Sequence, residues 1–331
     1  MTPIAPHIAA FLRERLPVQR GASEHTCESY ASCYRLLFDF ASERLKVTPS
    51  ELHLEQIDPK LVMDFLEHLE TERENTAATR NVRLAAIKSF FRFLEHRVPS
   101  LLEQSRRIRA IPNKKTDTPL VNHLSLDEMK AILNAPDVST RQGIRDRAMM
   151  HLCFAGGLRV SELVSLPLRA FSAEPSPTIH VVGKGRKERS LPLWKQTASD
   201  LRAWLAVRGH AHAPELFLSA RGKPLTRSGF KYMLRKHTAA AAAGDCPSLR
   251  DKKVSPHTLR HTCALVILQA TGDLRKVSLW LGHADMQTTQ IYLRADPTEK
   301  LDALKDVVPP ELRRGEFQAP DKLLALLGRT G

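Results

Sequence analysis

Residues 105–119, SRRIRAIPNKKTDTP, cut the chain with a stretch that suits no regular element: it is basic, contains two prolines and lacks apolar periodicity. On both sides the apolar residues return at helical spacing, so the chain is constrained to two separately folding parts. Its 331 residues are also long for one ordinary core. Upstream, CESYASCYRLLFDFASERL places Tyr30, Tyr34, Leu37, Phe38 and Ala41 three and four apart, the mark of one buried helical face. Asn75 and Thr76 open a further helix, TAATRNVRLAAIKSFFRFLEHR, whose apolar stripe is expected from Val82, Ile87, Phe90, Phe91 and Leu94. Arg80, Arg83, Lys88 and Arg92 ride on the same helix, where nucleic acid or plain solvent would suit them equally. The expected division is a helical domain over 1–105, a basic linker over 106–120 and a second domain over 121–331.

The second part starts with Ser125-Leu-Asp-Glu128, the pattern of a capping box, ahead of the helix MKAIL. TIHVVGKGRKERSLPL then reads as two β-runs around Gly183-Lys184-Gly185-Arg186-Lys187, a hairpin. Most of the remainder is helical, so the fold class is mainly α with a small β-hairpin or sheet. The five cysteines are odd in number and form no Cys-x-x-Cys pair, which argues for reduced thiols rather than a disulfide framework or a cysteine-based zinc site. No run of 18 uncharged apolar residues occurs, and the first residues do not form a secretory leader, so a soluble, cytoplasmic protein without a membrane partner is expected.

Charge is informative once it is divided along the chain. Residues 181–260 hold 17 Lys+Arg against 5 Asp+Glu, and they carry +12 of a net +14. A phosphate-binding surface leaves such a footprint, and so does a solvated face. If the footprint belongs to DNA, the hairpin charges Arg186, Lys187 and Arg189 should be part of it.

Four separated segments carry side chains suited to phosphate. AGGLRVSELVSL presents Arg159 at a turn entering a helix, and a guanidinium offers forked donors that stay charged at any usable pH. Lys184 sits at the hairpin tip between two glycines, which permit close backbone approach. SPHTLRHTCA puts His257 and Arg260 three apart on one helix face, and LWLGHADMQTTQIYLRAD places His283 nine residues before Tyr292. In this order, Arg159, Lys184, His257 with Arg260, Gly282-His283 and Tyr292 resemble the pattern of the tyrosine recombinase, or phage integrase, family, in particular integrase/recombinases borne by transposons or plasmids. The motif-bearing likeness covers roughly 121–300, and the N-terminal helices resemble the family's core-binding domain only loosely.

The resemblance implies a two-domain DNA clamp, a core-binding domain followed by a catalytic domain, acting on double-stranded DNA without a cofactor or metal. A tyrosine with a solution pKa near 10 needs a proton acceptor or a positive field to become a nucleophile. His257 is the expected base. Arg159 and Arg260 would clamp the scissile phosphate, Lys184 would protonate the departing 5' oxygen, and His283 would bond the phosphate or orient Tyr292. Four protomers would assemble on two sites, as a homotetramer or with related recombinases, and the apolar tail DKLLALLGR would dock on a neighbour or on its own domain. Each residue also has an ordinary reading. Arg159 could merely pair with Glu162, Lys184 could be a plain hairpin lysine, and His257, His261 and His283 could hold zinc. Tyr30, Tyr34 and Tyr232 read as packing residues. A type IB topoisomerase and a non-catalytic DNA-binding regulator remain as alternatives.

Overall fold

A computed structural model describes residues 1–117, 120–183, 185, 187–209, 213–283 and 286–295. The chain divides into two units, Met1–Thr118 and Pro119–Gly331. The first is all helix: α1 (Ile4–Ala10), running on into a π-helical turn over Phe11–Gln19, then α2 (Glu24–Leu45), α3 (Pro59–Thr71), α4 (Ala77–Leu94) and α5 (Leu102–Ala110). The helix starts are written in the sequence: Ser23, Asp58 and Thr76 each accept a hydrogen bond from the backbone amide three residues on. Phe11, Tyr34, Phe65, Phe90 and Phe91 fill the core, and the Tyr34 hydroxyl donates to Ala86 O at 2.6 Å. On α4, Ile87, Phe90, Phe91 and Leu94 face inward as expected. Val82 does not: it is 54% exposed, and Leu84 takes its place.

This unit extends further along the chain than its composition suggests. The stretch expected as linker over 106–120 begins inside α5, and Ile108 and Ile111 are buried in the helical core. Lys88 Nζ donates to Ile111 O at 2.5 Å, and Lys114 Nζ meets Glu70 at 2.8 Å. Crowded arginines hid this helix from sequence reading. Two of them are paired, Arg107 with Glu103 on the helix surface and Arg109 with Glu95, and so tolerate the fold.

The second unit contains α6 (Leu126–Asn134), α7 (Arg141–Ala155), α8 (Val160–Val164), β1 (Phe171–Ser172), β2 (Thr178–Val182), β3 (Glu188–Pro192), α9 (Lys195–Arg208), α10 (Arg227–Ala243), α11 (Pro256–Thr271), α12 (Leu274–Leu281) and α13 (Ile291–Ala295). The capping box forms as read, with Ser125 N donating to Glu128 and Glu128 N donating to Ser125 Oγ. The β2–β3 hairpin also forms, Val182 opposite Glu188, and β1 adds a third antiparallel strand. Helix α7 is buried along most of its length. Its polar members are satisfied by neighbours: His151 Nδ1 lies 2.7 Å from Asp200 on α9, and Asp146 lies 2.9 Å from His237 Nε2 on α10. All five cysteines are free, with Cys33, Cys153 and Cys263 buried. Among the described residues no helix is long and apolar enough to cross a membrane. Tyr232 is 63% exposed and is not the packing residue its helical spacing suggested.

Candidate active site

Three chain reversals meet beside α11. The first is the turn after α7, where Gly157 has φ +55°. A Cβ there would come within 2.5 Å of Leu281 Cδ2 and 3.2 Å of Cys263 Sγ, so only glycine lets α11 and α12 approach this closely. That turn delivers Arg159 to the start of α8. The second reversal is the end of α12, where Gly282 caps the helix at φ +64° and His283 follows. The third leads through 286–290 into α13, which carries Tyr292.

Arg260 ties the first two together. Its side chain is buried, 4% exposed, and its two terminal nitrogens donate to Gly157 O and Leu281 O, the latter at 2.8 Å. Burial, helped by Arg159, pulls its pKa down to about 10, so it keeps its charge at neutral pH. Arg159 is part-exposed, and Glu162 accepts from its Nη1 at 2.9 Å and from its own amide at 3.0 Å. The structural pairing open to Arg159 is thus present, and the guanidinium still reaches the surface. His283 Nδ1 is bonded to Thr289 Oγ1 at 2.8 Å. Burial and then the field of Arg260 and Arg159 lower the His283 pKa to about 4, so the ring is neutral.

Tyr292 is 1% exposed and packs among Ala264, Leu265, Leu268, Val277 and Leu281. Its hydroxyl lies 3.0 Å from His261 Nδ1, and burial pushes its pKa up to about 12 although Arg260 works the other way. The sequence reading missed this partner, weighing His261 only as a metal ligand. The available signal was its place on α11 four residues after His257, on the face that also carries His257. His257 is exposed one turn before His261, their rings 6.3 Å apart, and its pKa is lowered by burial first and then by Arg260, Arg159 and Lys231. His261 is lowered further, to about 4, by burial and then by His257 and Arg260. The structure therefore gathers Arg159, His257, Arg260, His283 and Tyr292, while Lys184 lies outside the described residues.

The basic window sorts into two groups. Arg208 is buried and donates to the carbonyls of Ala213, Glu215 and Leu216. Arg189 is also turned inward, bonded to Glu162 at 2.8 and 3.3 Å, which corrects its expected place in a DNA footprint. Arg186, expected in the same footprint, lies outside the described residues. Arg227, Lys231 and Arg235 lie four apart on α10 and form one exposed cationic face, with Lys231 close enough to influence His257. Among the described residues no group of three His, Cys, Asp or Glu side chains is placed to hold a metal ion.

The phage integrase family model matches residues 122–299, and the phage integrase N-terminal SAM-like domain matches 8–98. A Sinorhizobium fredii protein described as an integrase/recombinase, y4rC, is 42% identical over 98% of this chain and 97% of its own length. The tyrosine recombinase XerC of Myxococcus xanthus is 34% identical over 94% of this chain and 99% of its own. In fold, the chain is similar to the XerH site-specific recombinase solved in a post-cleavage complex with palindromic difH substrate, with a TM-score of 0.67, 24% identity, and 86% of this chain and 81% of that one covered. The chain belongs to the phage integrase family of tyrosine recombinases, the enzymes of site-specific DNA recombination.

Proposed function

We propose that Tyr292 is the nucleophile of strand cleavage, attacking a DNA phosphate held by Arg159 and Arg260. The observation that carries this reading is the direct bonding of Arg260 to both Gly157 O and Leu281 O, which brings the arginine turn, the α11 motif and the segment before Tyr292 to one place. Two guanidiniums stabilise the charge that grows on the pentavalent transition state, where one preorganised donor is worth roughly a hundred- to thousandfold in rate. His257, exposed on the same helix, is the proton acceptor, and His283 bonds the phosphate. Lys184 protonates the 5' oxygen as the P–O bond breaks, leaving a 3'-phosphotyrosyl link and a free 5' hydroxyl. One phosphodiester is exchanged for another ester of similar energy, so the cycle needs neither ATP nor metal.

The resting geometry is not the reacting one. Burial holds the Tyr292 hydroxyl up at about 12 and His261 down at about 4, so His261 is a poor acceptor for the tyrosine's proton in this pocket. The hydroxyl must leave its apolar pocket to meet a phosphate, and a bound phosphate, by offsetting the arginine field, raises the histidines' proton affinity.

Duplex DNA is the partner this reading requires, gripped by the α10 face of the catalytic unit and by the N-terminal unit acting as a core-binding domain. The assembly is a tetramer on paired sites, homomeric or mixed with related recombinases, with the tail beyond residue 295 docking between or within protomers; that tail lies outside the described residues. The setting is a mobile element handled in the cytoplasm, where thiols stay reduced. DNA flanking the gene supplies the suicide substrate for the test. Tyr292→Phe should abolish the covalent protein–DNA adduct and leave affinity within a few fold, since it removes one hydroxyl and no charge. An adduct formed by the Phe variant, or activity lost in EDTA, would overturn the assignment. Recombination between two sites, rather than plasmid relaxation alone, separates the enzyme from a topoisomerase.

A further inference from the structure

Among the described residues, Glu162 is the one carboxylate bonded into the arginine cluster. It is 6% exposed and accepts four bonds: from Arg159 N and Nη1 at 3.0 and 2.9 Å, and from Arg189 Nη2 and Nη1 at 2.8 and 3.3 Å. Burial works to raise its pKa, and the bonds from Arg189 and Arg159 outweigh it, so the group is ionised. A buried carboxylate facing Arg159 alone would cancel that guanidinium's charge. Shared between two guanidiniums, it leaves one net positive charge, and Arg159 is the partly exposed member of the pair.

Arg189 is also fitted between the two glycines that flank other site residues. A Cβ on Gly183, just before Lys184, would lie 3.3 Å from Arg189 Nη1, and one on Gly282, just before His283, would lie 3.0 Å from the same atom. Backbone angle does not account for both glycines, since Gly183 has no positive φ. On Gly183 the first atom met would be Glu162 Oε1 at 3.2 Å, so both glycines flank the Glu162–Arg189 pair, Gly282 also meeting the left-handed turn at φ +64°.

We propose that Arg189 is a positioning residue of the recombination site: it neutralises Glu162 so that Arg159 stays positioned by the carboxylate yet keeps its charge for the DNA phosphate. The inference rests on the reading of Arg159 as a phosphate clamp. It also assigns Arg189, drawn from a strand of the basic window, to the interior rather than to the DNA.

Single-turnover cleavage of the suicide substrate by four variants tests it. Arg189→Gln should slow cleavage by roughly tenfold or more, since Glu162 then quenches Arg159. Adding Glu162→Gln to Arg189→Gln removes the quenching charge and should restore most of that loss, whereas a purely structural role predicts that the double variant is worse. The salt dependence of DNA affinity should be the same for Arg189→Gln and wild type. Arg189→Lys keeps the charge with a poorer fork and should fall between wild type and Arg189→Gln, which carries the test if Arg189→Gln does not fold. Wild-type cleavage by Arg189→Gln, no rescue by Glu162→Gln, a shallower salt slope, or Arg189→Lys slower than Arg189→Gln would each overturn the inference. Arg159→Ala serves as the reference. If it cleaves normally, the clamp reading itself fails and this one with it; if it is slow while Arg189→Gln is not, only this one fails.

Discussion

Arg260 shows how one side chain serves the fold and the chemistry together. Its fork holds two backbone carbonyls in a buried position and leaves its remaining N–H groups for a phosphate. Arg260→Lys keeps the charge but can satisfy only one carbonyl with good geometry. We expect a stability loss of about 1–3 kcal/mol in urea unfolding and a large fall in cleavage rate. Lys184→Ala should be slow for another reason, because the 5' oxygen must depart without a proton. Replacing that bridging oxygen with sulfur should rescue Lys184→Ala far more than Arg260→Lys, and equal rescue would remove Lys184 as the general acid. At this scale the sequence was informative about identity and silent about contacts. The residue types of the motif could be read in order, but the bond between His261 and Tyr292 joins residues 31 apart through a fold that no local pattern encodes.

Helix α10 turns a row of cations outward. Lys231 and Arg235 lie exposed on the same side as Arg227, and Tyr232 beside them is exposed too, with Arg235 over its ring at 5.7 Å. Replacing Arg227, Lys231 and Arg235 by Gln should shallow the log–log salt dependence of DNA affinity by about 0.9 for each phosphate that is no longer neutralised. An unchanged slope would show that this face is only solvated. The hairpin teaches the complementary lesson. Its two strands followed from β-type runs on either side of Gly183 and Gly185, but the direction of Arg189 did not, because a half-buried strand end presents either face until something packs on it. Likewise α5 was hidden by its arginines: Arg107 pairs with Glu103 on the helix itself, but the partner of Arg109, Glu95, sits on a neighbouring segment.

For the whole molecule, the depressed histidines tie stability to pH. His261 and His283 titrate near 4 in the folded protein against an ordinary value of 6.5. The unfolded chain therefore binds more protons between those values, so their contribution is fully present above pH 6.5 and is lost as pH falls toward 4. The melting temperature should drop across that window, and His261→Gln should flatten the drop. A melting temperature independent of pH between about 4 and 6.5 would contradict the burial of these rings. By itself the sequence determined that the chain is mainly helical and that its chemistry is that of a tyrosine recombinase, because capping, periodicity and motif order are local properties of the chain. Only the tertiary structure decided which cations face inward, which histidine meets Tyr292 and how closely Gly157 and Gly183 are packed, because burial and charge pairing are properties of side chains brought together from distant segments.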